Sequence, residues 1–140
     1  MNIRFQTPHQ YVFIHRHVKH LLLLWKKEHK RDLYIVDDET ESSLVLRYPG
    51  DTYAEMVLQE VEPIFFQRLE TDEEAFLAIL AATLDYGGRL MAMYVHPERP
   101  QSDVYFFEVR DEQIEEIDDD EYPRIIQAFM EEYPDSFAQA

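Results

Sequence analysis

The chain has no cysteine and only three glycines, Gly50, Gly87 and Gly88, and no lysine follows Lys30. Without cysteine there is no disulfide, no thiol nucleophile and no thiolate zinc site, a pattern that suits a reducing compartment. So few glycines leave no glycine-rich phosphate loop, and none of Ser42, Ser43, Ser102 and Ser136 sits in a nucleophile-elbow motif. No apolar run approaches the ~18 residues that cross a bilayer. The N-terminus also lacks the apolar core behind a basic start that marks a secretory signal. The expectation is a soluble cytoplasmic protein that needs no cofactor.

What is present is enough to fold. The 140 residues are 46% hydrophobic and 14% aromatic, which supplies a core for one domain and argues against disorder. The charge is divided along the chain. Residues 1–31 carry seven Lys/Arg against the single acid Glu28, a net of +6, and the other 109 residues carry 28 acids against six basic side chains, a net of −22. Net charge bears on partners and solubility rather than on fold. A body at −22 repels nucleic-acid phosphate and anionic lipid and attracts a basic protein surface.

Periodicity predicts a basic amphipathic helix over 8–30. Thr7 can cap it, Pro8 suits its first turn, and Tyr11, Ile14, Val18, Leu21, Leu22 and Trp25 share one side. "DLYIV" and "SSLVLRYPG" read as short strands ending at Pro49-Gly50. "DTYAEMVLQEV" fits a short helix slightly better than a strand, and "IFFQRL" fits either, so 53–69 stays open. Thr71 and Glu74 form a capping-box pair ahead of a helix that ends at Gly87-Gly88. "RLMAMYV" and "DVYFFEV" read as paired antiparallel strands. A closing helix starts near the cap Asp120, with Pro123 in its first turn and Ile126, Phe129, Met130 and Tyr133 facing inward. The expected fold is a single α+β domain over 1–140. It has an antiparallel sheet of four to five strands packed by three to four helices on one face, with the helix 8–30 leading an acidic body over 32–140.

The stretch "HRHVKHLLLLWKKEHKR", residues 15–31, holds four of the six histidines. On a helix His15 and His17 point apart, and only His17 and His20 could share a metal, with ligands from elsewhere. A hydrogen-bonded boundary His17 is the simpler reading, and no metal is expected. The basic row suits phosphate contacts and the Leu/Trp side suits a membrane surface. The acidic body opposes nucleic acid, and a core needs the same apolar side, so neither partner is expected.

The segment 108–121, "EVRDEQIEEIDDDE", concentrates nine carboxylates: Glu108, Asp111, Glu112, Glu115, Glu116, Asp118, Asp119, Asp120 and Glu121. Helix-start preference for acids explains only Asp118 to Glu121. A calcium loop is ruled out, since no glycine stands sixth and Phe129 stands twelfth from Asp118. The nine acids are therefore the candidate partner-binding set, directed at a basic protein by steering and charge complementarity. The functional expectation is a non-enzymatic acidic binding protein, in its sharpest form an inhibitor or immunity protein or a nucleic-acid mimic. Two alternatives are a regulatory or scaffold domain that self-associates through its +6 helix, and a small enzyme built on His96, near Glu98 and Arg99.

Overall fold

The computed structural model describes residues 9–25 and 30–134. Nine strands and two α-helices follow in the order β1 His9–His15, β2 Val18–Trp25, β3 Lys30–Glu39, β4 Leu44–Arg47, α1 Asp51–Val61, a 3₁₀ turn Glu62–Ile64, β5 Phe66–Glu70, β6 Ala75–Tyr86, β7 Arg89–His96, β8 Arg99–Arg110, β9 Gln113–Glu115 and α2 Tyr122–Glu132. The expected small antiparallel sheet under three to four helices is thus wrong. All nine strands form one sheet, ordered β4-β3-β2-β1-β6-β7-β8-β9, with β5 also on β6. It is mixed, because β1 runs parallel to β6, meeting it at Ile14 and Ala82.

The largest correction is at the N-terminus, where the predicted helix is the hairpin β1–β2. Four contiguous apolar residues, Tyr11–Ile14 and again Leu21–Leu24, satisfy a period of 3.6 and a period of 2 alike. Aromatic and β-branched side chains favour the extended form of the first run. The deciding feature is Arg16-His17, at φ 48° and 73°, a two-residue turn that sends the chain back along itself. The expected cap at Thr7 and Pro8 lies outside the described residues.

The second predicted helix is also a strand. Thr71 Oγ1 accepts the N–H of Glu73 at 3.3 Å and of Glu74 at 3.2 Å, but the turn leads from β5 into β6 and the Glu74 carboxylate goes to His96 and Arg99, so the expected capping box and its helix do not form. The helix formers of "AFLAILAATL" are overridden because β6 lies between β5 and β1 on one side and β7 on the other. Segment 53–69 resolves into α1, the 3₁₀ turn and β5.

The sheet is covered on both faces, not one. Even-numbered Ala92 and Tyr94 of β7 meet α1 through Val57, Leu58 and Val61, while odd-numbered Met91 and Met93 meet α2 through Ile125 and Phe129. In β6 a bulge at Ala81, between the pairs Leu80↔Tyr94 and Ala82↔Met93, switches the parity. Ala78 and Leu80 therefore serve the first core, and Ala82 and Leu84 the second. α1 packs on β3 and the adjoining 3₁₀ turn on β9, so the twisted sheet curls round this segment. In α2, Glu121 rather than Asp120 takes the cap position. Ile125, Phe129 and Tyr133 are buried, whereas Met130 is exposed. Among the described residues no helix is long and apolar enough to cross a membrane.

Candidate functional site

The nine predicted acids fall along the far end of the sheet, and the structure divides them. β8 turns into β9 through Asp111-Glu112, both in the left-handed region at φ 54° and 65°. Three of the nine carboxylates are used internally. Glu108, only 6% exposed, receives Arg89 Nη2 on Oε1 at 2.7 Å and Arg110 Nη2 on Oε2 at 3.0 Å. Glu121 takes the other side of the same Arg89, at 2.6 and 3.1 Å, and Glu115 lies 3.7 Å from Arg110. Hydrogen bonds from Arg89 hold both Glu108 and Glu121 below the usual carboxylate range. The other six, Asp111, Glu112, Glu116, Asp118, Asp119 and Asp120, are exposed and meet no cation among the described residues. Both oxygens of Glu108 are thus occupied inside the fold.

Beside the exposed acids is a groove of about 340 Å³, lined by Tyr105, Phe106, Phe107, Ile117 and Tyr122 with Glu116 and Asp119. It exists because β9 pairs only with residues 108–110. Past Glu115 the chain leaves β8 and passes into α2. Tyr122 and Phe129 flank the Phe106 ring, at centroid distances of 6.0 and 5.1 Å. Tyr105 and Phe107 lie on the side of the first core and Phe106 and Tyr122 on that of the second, so the groove runs along the sheet edge with Glu116 and Asp119 beside it. A Lys or Arg stem can pack on such apolar surface while its charged head meets the acids.

His96 keeps different company from that expected. Its Nε2 lies 2.6 Å from Glu74 Oε1, and its Nδ1 accepts the Glu98 N–H at 3.1 Å. The Nε2–H therefore donates to Glu74, and neither ring nitrogen is left as a base. Arg99 joins Glu74 at 2.7 Å and Asp103 at 2.8 Å, and its hydrogen bond holds the Glu74 carboxyl low. The ring is 4% exposed and packs on Phe76 at 4.4 Å.

Among the described histidines of the stretch, His15 and His20 are buried, while His17 sits half-exposed at the hairpin tip, 3.4 Å from Glu132. Thr83 Oγ1 accepts the Arg16 N–H at 3.0 Å and lies 2.9 Å from His15 Nδ1, whose Nε2 lies 2.7 Å from Glu60. The order Thr-His-Glu resembles a catalytic relay, but Thr83 is wholly buried and can reach no substrate. Burial pushes the His15 ring down, against the pull of Glu60. His20 is pushed down to about 4, by burial first and by His15 second. Among the described residues no three His, Asp or Glu side chains assemble as a metal would require.

Family models, curated proteins and solved structures offer no match to this chain.

Two structural partners, Arg89 and Glu60, do not stand out in the sequence. A usable signal existed for the first. Every basic residue after Arg31 is arginine, the side chain whose fork can hold two carboxylates, and Arg47, Arg89, Arg99 and Arg110 all do so or pair once. Glu60 had no such signal, because its partner His15 lies 45 positions away.

Proposed function

We propose that this chain is an acidic binding protein that engages a basic protein partner through the sheet end formed by the β8–β9 turn and residues 116–120. One observation carries the reading. Arginines pair with Glu108, Glu115 and Glu121, while Asp111, Glu112, Glu116, Asp118, Asp119 and Asp120 stand exposed on one continuous segment without a cation among the described residues. The start of α2 accounts for Asp118 to Asp120 but not for Asp111, Glu112 and Glu116, whereas a basic surface meeting all six gains faster encounter and specificity. The action is occlusion, with no bond made or broken, as in an inhibitor or immunity protein that covers the cleft of a nuclease-like enzyme.

Self-association through the basic N-terminal stretch draws less support. Arg16 already pairs with Glu60 and Asp85, Lys19 with Glu39, and Arg31 with Glu62. Lys26 and Lys27 of this stretch lie outside the described residues. The test is a tagged pull-down at low and high salt, repeated with Glu116, Asp118 and Asp119 each changed to lysine. A basic protein held at low salt, released at high salt and lost in the triple variant is the expected result. Equal capture by a matched variant reversed at Glu41, Glu55 and Glu131, three exposed acids outside this segment, is the control. Retention by the triple variant would sink the reading.

A further inference from the structure

β8 has a partner along one edge only for much of its length. β7 covers Val104–Val109, while β9 reaches only Glu108, Val109 and Arg110. Which backbone groups point outward follows from the hairpins. In a two-residue hairpin the residues flanking the turn exchange both hydrogen bonds, and the direction alternates along the strand. Arg110 faces Gln113 across Asp111-Glu112, so Glu108, Phe106 and Val104 aim N–H and C=O away from β7. Counting from the other side agrees. Arg89 faces Tyr86 across Gly87-Gly88, so Leu90, Ala92 and Tyr94 face β8 and bond to Val109, Phe107 and Tyr105. β9 satisfies Glu108. No backbone or side-chain hydrogen bond among the described residues reaches the outward groups of Val104 and Phe106.

Proteins usually guard such an edge with lysine, proline or a very short strand. The opposite edge strand β4 has four residues and ends ahead of Pro49. The β8 edge carries no lysine, and its proline is at Pro100, before the open stretch. The aromatic groove and the unneutralised Glu116 and Asp119 lie directly alongside.

We infer that an extended basic segment of the partner protein adds to the sheet as a strand along Val104–Phe106, with one of its Lys or Arg side chains seated between Glu116 and Asp119. This rests on the acidic-binding reading above and specifies how the partner is held. Backbone groups of the added strand satisfy those of Val104 and Phe106, and the groove selects a cationic side chain.

The probe is a fluorescein-labelled octapeptide of alternating lysine and valine, followed by anisotropy against the full chain. Val104→Pro deletes one outward N–H without touching the β7 ladder. It is expected to weaken binding at least tenfold while the melting temperature stays within a few degrees. A second probe, the same peptide with every backbone amide methylated, tests the point without altering the protein and is expected to lose at least tenfold as well. Exchange of the Val104 and Phe106 amides slows when the unmethylated peptide is bound. Equal binding of both peptides, or no binding of either, overturns strand addition. If Glu116→Lys/Asp119→Lys abolishes binding while Val104→Pro and methylation are silent, the acidic surface stands and only the added strand falls. If the charge reversals leave peptide binding unchanged, both readings fall together.

Discussion

Arg89 and Glu108 meet as a fork on a fork, with Nη2 at 2.7 Å from Oε1 and Nε at 3.3 Å from Oε2. The same guanidinium holds Glu121 at the start of α2, so one side chain ties β7, β8 and the helix together and fixes both ends of the 109–120 segment. Arg89→Met leaves the nearly buried Glu108 to Arg110 alone and frees Glu121. The melting temperature is expected to fall by several degrees, and by more than in Arg110→Met. Acid sensitivity should change too. Both carboxyls are held low in the fold, so their contribution is present above the unfolded carboxylate range and is lost as pH falls through the lower folded values. Thermal melts of the two variants from pH 7 to pH 3 check this, and equal melting curves would dismiss Arg89 as the tie.

His20 sets a second pH dependence. Its ring is wholly buried, stacked on Phe13 at 5.1 Å and bonded to the Tyr53 hydroxyl at 2.8 Å, with Nδ1 unpartnered among the described residues. Its proton affinity is pushed down to about 4, against about 6.5 in the unfolded chain. The unfolded state therefore takes up a proton first, and stability falls as pH drops from about 6.5 to about 4, by roughly 3 kcal/mol in full. Denaturant titrations of wild type and His20→Phe across this range should diverge by that order, with the variant flatter. Parallel curves would contradict it.

Thr83→Val keeps the shape of the side chain and removes its hydroxyl. The Arg16 N–H then loses its acceptor and His15 Nδ1 its donor, both inside the fold. A loss of about 1–3 kcal/mol is expected, read as a lower denaturant midpoint at unchanged slope.

The β8–β9 turn carries strain that glycine relieves. Glu112, at φ 65° and exposed, occupies a conformation that costs an L-residue roughly 1–2 kcal/mol. Glu112→Gly should raise stability by up to about 1 kcal/mol once glycine's greater unfolded freedom is deducted. Binding to a basic partner should fall only slightly, as one of six exposed carboxylates is removed.

Phe129→Ala tests the second core. The ring is wholly buried between Phe106 and Tyr133, so its removal is expected to cost about 3–5 kcal/mol. Met130→Ala, one position on but exposed, should cost far less. The reverse order would mean that Met130 and not Phe129 faces the core.

The sequence left 53–69 open between strand and helix, but by itself it determined the charge division, the pairing of "RLMAMYV" with "DVYFFEV", the closing helix with Pro123 in its first turn, and the nine carboxylates at one end. Each of these is written locally, in breakers, in alternation or in a run of one charge. Only the tertiary structure decided that 9–25 is a hairpin and 75–86 a strand. Contiguous apolar runs fit both periods, and the Thr71 hydroxyl caps a turn with the same bonds whether a helix or a strand follows. The parallel pairing of β1 with β6, the division of β6 between two cores at the Ala81 bulge, and the pairing of His15 with Glu60 all depend on residues distant in sequence. The division of the acids had the same origin. Glu108 and Asp111 are alike as letters, and only folding sets one under Arg89 and leaves the other in water.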